Sequence, residues 1–394
     1  MRVLFASTRG TGHFNPLVPF VEACLRGGHE VMVAGPPPLA ETVERAGYRF
    51  WEGEAPAEDE LDAVWGRVPT ASREEANALV IGEIFGRLNV HAMLPGLERA
   101  CEEWQPDVLI REEAEFASAI AAERNGVRHA RVSVSLGSLE EEALELAGPG
   151  LDELHAGIAE LIWTSPQLTL VPAGLEGPLR SPPPVVHRFR DPAAGAPGEP
   201  LPDWWEGDPR TLVYVSFGSV AGTMPMADAL YAAVYEAAAA LPARVLLTLG
   251  QRDADIDALG PAPANLHVER WVAPADVLPH ADAVVSHGGF GTTLGAVEAG
   301  LPLVVVPLFG DQPDNARHVE AAGPGVVVWP DPEAPPQAMR TGIDPAALRG
   351  AIETVLGDPA YARKAGELAA EMAAHAPADE VLTISGLTDA RPAT

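Results

Sequence analysis

Arg2-Val3-Leu4-Phe5-Ala6-Ser7 opens the chain, Glu30-Val31-Met32-Val33-Ala34 follows, and what lies between them decides the fold. The first run is short, apolar and strand-like. Thr8 to Asn15 is polar and glycine-containing, as a loop would be. Pro16 stands where a helix accepts proline, at its first position. Leu17, Phe20, Val21, Cys24 and Leu25 then recur at helical spacing until Gly27-Gly28 stops the helix. Strand, loop, helix, strand is a βαβ unit, and such units build parallel sheets.

The same alternation runs outward. Asp107–Ile110 and Val127–Val134 read as strands, with a helix over Phe116–Asn125 closed by Gly126. Between Phe50 and Met93 the alternation is lost in an acidic stretch with scattered large apolar residues. Two readings fit it: ordinary helices packed on the sheet, or a variable region around a substrate. A second α/β series starts late in the chain. Thr211–Ser216, Arg244–Leu249, Asp282–Ser286 and Leu303–Val306 read as strands, and Asp228–Leu241 as an alanine-rich helix. Between the two series, Ser181–Pro209 holds eight prolines. Proline fixes φ and donates no hydrogen bond, so an extended connector is expected there. The expected domains are 1–190, a linker 191–209, a second domain 210–375, and a tail 376–394 that packs back on the first. Two parallel-sheet domains would face each other across a cleft, with ligands beyond the carboxyl ends of the strands.

Composition narrows the function. The 394 residues, 47% hydrophobic and 21% charged, suffice for two buried cores. Lys and Arg number 26 against 56 acidic residues, a formal charge of −30 with no basic run. Nucleic acid and anionic membrane surfaces are therefore poor partners. Any phosphate site must rest on local dipoles and backbone amides, because the overall field repels anions. No apolar run approaches the ~20 residues of a membrane helix, and the first residues lack the order of a signal peptide. A soluble cytoplasmic protein is expected. Cys24 and Cys101 sit in helix-like apolar patterns and read as buried free thiols.

The densest chemical signal is Ser286-His287-Gly288-Gly289-Phe290-Gly291-Thr292-Thr293, after a buried strand and before a helix ending at Gly300. Its glycines let the backbone approach a ligand. Thr292 or Thr293 is a candidate cap, and a helix start offers free amides and a positive dipole end. A diphosphate fits such a site without a metal; a plain glycine turn with a structural histidine is the alternative. Downstream, Pro302–Phe309 delivers Asp311-Gln312-Pro313 to the same rim, placing two polar side chains where sugar hydroxyls could be held. Upstream, Trp271 is either a core residue or an exposed stacking surface for a base. Ser216-Phe217-Gly218-Ser219 adds hydroxyls on that side.

The series from Trp271 through His287-Gly288-Gly289-Phe290-Gly291-Thr292 to Asp311-Gln312 resembles the donor signature of the family 1 glycosyltransferases. It is most similar to bacterial members that decorate macrolides, enediynes and other polyketides, and is related to plant enzymes acting on small phenolics. The resemblance implies the GT-B architecture, two Rossmann-like α/β domains, and a UDP- or dTDP-sugar donor. It implies that Trp271 stacks on the pyrimidine and the Val272 backbone reads the base edge. His287, Gly288, Gly289, Gly291 and Thr292 would hold the diphosphate, with Ser216, Gly218 and Ser219 beside it, and Asp311 and Gln312 would bind the sugar. The family often carries a glutamate eight residues after the signature histidine, for the ribose hydroxyls. Gly295 stands there, and Glu298 follows nearly one turn later; a deoxyribose donor has less need of that clamp.

In the first domain, Gly10-Thr11-Gly12-His13-Phe14-Asn15-Pro16 is a poor dinucleotide fingerprint, since Asn15 replaces the third glycine. It resembles instead the family's acceptor-base loop, which makes His13 the expected general base. A neutral imidazole suits that task but needs a partner to fix its tautomer. The family uses an aspartate at the end of the strand corresponding to Val108–Ile110. Glu112 stands at that place, with Glu113 and Glu115 as alternatives. Phe14, Trp51, Ile84, Phe85 and Met93 are expected to line an apolar acceptor pocket.

The expected activity is inverting transfer of a sugar to a hydroxyl of an apolar polyketide, macrolide or phenolic acceptor. No cofactor or essential metal is expected, and the chain is a monomer or homodimer. Asp253-Ala254-Asp255 looks like a DxD metal motif but lies in a polar stretch and reads as a solvated loop. No zinc, P-loop or G-x-S-x-G pattern occurs. Two rivals share the donor site: a sugar-nucleotide epimerase, which would act without an acceptor, and a non-catalytic binding protein, which would release no nucleotide.

Overall fold

A computed structural model describes residues 1–193, 200–224, 227–250, 260–330 and 342–388. The Asp253-Ala254-Asp255 stretch lies outside them. Strands β1 (Arg2–Ala6), β2 (Glu30–Gly35), β3 (Phe50–Glu52), β4 (Val108–Glu112), β5 (Arg128–Val132), β6 (Gln167–Thr169) and β7 (Val186–Arg190) come first. β8 (Leu212–Ser216), β9 (Arg244–Thr248), β10 (Leu266–Glu269), β11 (Ala283–Ser286), β12 (Leu303–Val305) and β13 (Gly325–Val327) follow, and β14 (Ala376–Pro377) lies near the end. They form two sheets, ordered β14-β7-β6-β5-β4-β1-β2-β3 and β10-β9-β8-β11-β12-β13, with every pair parallel. Such strands are buried on both faces, which is why they read as continuous apolar runs.

Each sheet contains the doubly wound order 3-2-1-4-5-6. The winding direction reverses between β1 and β4 in the first sheet and between β8 and β11 in the second. At such a reversal neighbouring connections leave on opposite faces, and a crevice opens at the carboxyl ends of the two strands. The first sheet is sandwiched by two cores. One joins Val3 and Phe5 to Phe20, Val21 and Leu382. The other joins Leu4 and Leu109 to Leu97, Ile120 and Leu151. In the second sheet Val213, Val285 and Val304 pack with Tyr231 and Ile352.

The chain divides into two compact units: residues 1–170, 178–191 and 375–394, and residues 171–177 and 192–374. Three features differ from the sequence expectation. Val186–Arg190 is a strand inside the proline-rich stretch, because the residues between Pro184 and Pro192 keep their N–H donors. Residues 171–177 belong with the later half of the chain. There the amides of Ala173 and Gly174 donate to the Glu371 carboxylate at 2.5 and 3.3 Å. Finally, the loop after β1 turns helical at Thr11, not Pro16: Gly10, at φ 109°, reverses the chain, and the amides of His13 and Phe14 donate to its carbonyl.

The stretch from Phe50 to Met93 is largely helical, and residues 78–89 wind as a π-helix. Both cysteines are buried free thiols. No helix among the described residues is long and apolar enough to cross a membrane.

Candidate active site

The residues expected to act on the acceptor gather at the β1/β4 reversal. Ala6 pairs with Arg111, so Ser7, just past β1, and Glu112, the last residue of β4, come next on neighbouring strands. Thr8 is pinned to that neighbour: its N–H and hydroxyl both donate to Glu112 Oε1, at 3.1 and 2.8 Å. The Ala114 N–H donates to Oε2 at 2.7 Å. That same oxygen sits 3.2 Å from Nδ1 of His13. Glu112 is fully buried, while the His13 side chain keeps 27% of its surface exposed. Burial opposes ionisation of Glu112, but the His13 imidazole and the donors from Ala114 and Thr8 outweigh it and hold the carboxyl below its usual range. The imidazole ring lies 5.5 Å from the Phe85 ring, tilted by 41°.

Thus Glu112, rather than Glu113 or Glu115, reaches His13. Glu115 turns to the Ser118 amide at 2.9 Å. Glu113 lies among Ser135, Val134 and Glu140; burial first and Glu140 second push its carboxyl well up. Thr8 was missed by sequence reasoning, since nothing local marks a threonine that clamps a residue more than 100 positions away. Three of the expected pocket residues, Phe14, Ile84 and Met93, are buried. Phe14 is 2% exposed and packs edge-on to Tyr48 in the core, anchoring the short turn that carries His13. Met93 is 2% exposed and fills the core beside Gly53. Ile84 is buried as well, whereas Trp51 and Phe85 are half-buried, with Trp51 Nε1 donating to the Gly96 carbonyl.

Of the expected donor residues, Ser216, Gly218 and Ser219 and the run from His287 to Thr292 lie at the β8/β11 reversal, while Asp311 and Gln312 follow β12 and Trp271 and Val272 follow β10. After β11 the chain passes through His287, Gly288 and Gly289 into the helix Phe290–Glu298. Gly289, not a threonine, is the N-cap, so Thr292 lies in the first turn, where amides have no intrahelical acceptor. The imidazole of His287 is wedged between two glycines: a Cβ on Gly218 would lie 2.8 Å from it and one on Gly289 2.4 Å. Burial pushes its pKa down to about 4 against the opposing influence of the Ser216 backbone, so the ring is neutral near pH 7. Gly288 has φ +83° and donates to the Ser286 hydroxyl. Ser216 is half-buried and Ser219 exposed. Trp271 is 67% exposed, which removes the core reading for it, and Val272 beside it is half-buried.

Asp311 is the N-cap of the helix Gln312–Ala322. Gln312 is 3% exposed and its Oε1 accepts from the amides of Leu308 and Phe309, so that oxygen is engaged within the chain. Asn315, one turn on, was missed by sequence reasoning. It is 1% exposed and its Nδ2 donates to the Gly288 carbonyl and to Asp311, at 2.8 and 2.7 Å, tying the glycine turn to the next helix. At Gly295 a Cβ would meet only Leu278, at 3.5 Å, so the place of the ribose-binding glutamate is open.

Residues 23–216 match the family described as erythromycin biosynthesis protein CIII-like, N-terminal domain, and residues 232–385 the corresponding C-terminal domain. The 4'-demethylrebeccamycin synthase of Lentzea aerocolonigenes is 30% identical over 98% of this chain and 99% of its own. The calicheamicin glycosyltransferase CalG4 shares the fold with a TM-score of 0.77 at 23% identity, over 99% of both chains. The glycosyltransferase SsfS6 of Streptomyces sp. SF2575, complexed with thymidine diphosphate, matches with a TM-score of 0.72 at 26% identity, over 98% of this chain and 99% of that one. The chain therefore belongs to the GT-B family 1 natural-product glycosyltransferases and is a nucleotide-sugar-dependent glycosyltransferase.

Proposed function

We propose that this enzyme moves a sugar from a dTDP- or UDP-sugar to a hydroxyl of an apolar polyketide-type or phenolic acceptor, with inversion at the anomeric carbon and no metal. One observation carries the reading: a buried Glu112, fixed by Thr8 and Ala114, lies at Nδ1 of a partly exposed His13. A carboxylate so placed keeps the proton on Nδ1 and leaves Nε2 as the base. Nε2 takes the acceptor proton as the oxygen attacks the anomeric carbon. Glu112 stabilises the imidazolium that forms.

The departing nucleotide diphosphate is held by the first-turn amides of Phe290–Glu298, Thr292 and neutral His287, with Ser219 nearby. Helix amides and dipole supply positive potential in a protein of net charge −30. Trp271 stacks on the base beside the Val272 backbone. Asp311 binds sugar hydroxyls, and Gln312 joins through its amide group. The open place at Gly295 favours a deoxyribose donor, and the solved relative SsfS6 is itself complexed with thymidine diphosphate.

The test is initial-rate kinetics with a panel of dTDP- and UDP-sugars and planar phenolic acceptors, with products identified by mass. His13→Ala should lower kcat ~10²–10⁴-fold while donor KM stays within a few-fold. Wild-type turnover by that variant would place the base elsewhere. Loss of activity on chelation would refute the metal-independent reading.

A further inference from the structure

Residues Ala78–Asn89 form a twelve-residue π-helix between the helices Arg73–Asn77 and Val90–Trp104. π-winding is rare, occurs mostly as single-turn bulges, and is frequent at functional sites. Here the sequence itself is spaced for it. Leu79, Ile84 and Leu88 are buried, at 7, 4 and 5% exposure, and recur at intervals of five and four. In an α-helix Leu79 and Ile84 would point about 140° apart. With i→i+5 bonding they share a side.

A second column, Gly82 and Gly86, faces the helix Gly137–Leu154. A Cβ on Gly86 would lie 2.7 Å from the Ala147 Cβ, so backbone meets side chain directly there. Asn77 Nδ2 donates to Glu142 of the same helix at 3.0 Å, fixing the entry to the π-turns.

The third column is Ile81, Phe85 and Asn89, four residues apart and all half-buried. Its middle member is the ring 5.5 Å from the His13 imidazole. We propose that this column is the surface that selects the acceptor: the flat ring of a cyclic acceptor packs on Ile81 and Phe85, and the Asn89 carboxamide hydrogen-bonds a polar substituent of that ring. The inference rests on His13 meeting the acceptor hydroxyl. It replaces Ile84, which the π-winding turns inward, by Ile81 and Asn89. Two apolar side chains and one amide suit a fused or aromatic ring with a hydroxyl or carbonyl about one turn from the reacting group. A flexible alkyl alcohol would gain little from a flat face.

The test measures binding and turnover separately, using 4-methylumbelliferone, 3-hydroxyflavone and 1,8-dihydroxyanthraquinone as probes, with 1-octanol as the non-planar control. Binding to the wild-type chain is read by calorimetry. The planar probes should bind, and more tightly than 1-octanol. Phe85→Ala should raise the dissociation constant for the planar probes about tenfold or more, with donor affinity within about twofold; Phe85→Tyr should restore it. Asn89→Ala should reduce the preference for a hydroxylated ring over its unsubstituted parent about fivefold or more. His13→Ala should retain planar-probe binding while losing turnover, so a failure of the base assignment is seen apart from a failure of the column. Three outcomes overturn the proposal: no planar probe binding the wild-type chain, Phe85→Ala binding as the wild type does, or Phe85→Ala and Phe85→Tyr being equally impaired.

Discussion

Three glutamates crowd the end of β4, and their surroundings treat them in opposite ways. Glu112 has a histidine and three donors and is held ionised; Glu113 lies by Glu140 and is pushed up. Burial raises Glu115 to about 7, against the Ser118 donors and with Glu112 adding to the rise. In the unfolded chain the same group ionises near its ordinary value of 4.5. Below that pH both states hold the proton. Between about pH 4.5 and 7 the unfolded state sheds it first, so this group's contribution to stability is lost as pH rises through the folded value. Glu115→Gln keeps an acceptor for the Ser118 amide but cannot ionise. Urea titrations should therefore find the variant more stable than the wild type at pH 8, by on the order of 2 kcal/mol, with the difference vanishing at pH 4. Equal stabilities at pH 8 would show that Glu115 titrates normally.

At the scale of elements, the turn from β11 into Phe290–Glu298 is held by what its glycines lack. The His287 ring occupies the space that side chains at Gly218 and Gly289 would take. Gly218 also has φ +73°, which discourages any side chain, but Gly289 has an ordinary φ of −62°. Gly289→Ala is thus a clean steric probe: it fits the backbone and collides only with the imidazole. It should raise donor KM about tenfold or more while the affinity of a planar acceptor stays within about twofold. An unchanged donor KM would mean that the imidazole has no part in donor binding. Asn315 acts on the same turn from the other side through its bond to the Gly288 carbonyl.

At the scale of the molecule, the end of the chain completes the fold of its beginning. β14 pairs with β7, and the helix Ala378–Ile384 places Val381 and Leu382, each 2% exposed, in the core built on Val3 and Phe5. Arg128 donates to the Gly386 carbonyl at 2.7 Å, and Arg190 to that of His375 at 3.1 Å. Ending the chain at Ala374 removes these bonds and uncovers three large apolar contacts, counting Leu387. The first unit should lose on the order of 5 kcal/mol. Urea unfolding followed by tryptophan fluorescence would check this, and an unshifted first transition would show the tail to be dispensable.

Local sequence determined much of this protein. Apolar runs, Gly27-Gly28 and the Gly288-Gly289 turn announce parallel α/β units, because strand and helix periodicities and glycine conformations are properties of neighbouring residues. The strand inside the proline-rich stretch was hidden by its flanks. The ordered signature from Trp271 to Gln312 was legible for the same local reason. What tertiary structure alone decided were relations across the sheet. Glu112 became the partner of His13 because β4 lies against β1. Phe14 and Met93 became core residues, and Thr8 and Asn315 became clamps. In each case the contact joins residues that only strand order and helix docking bring together, and single-sequence patterns carry no information about which distant partner will fill a given buried space.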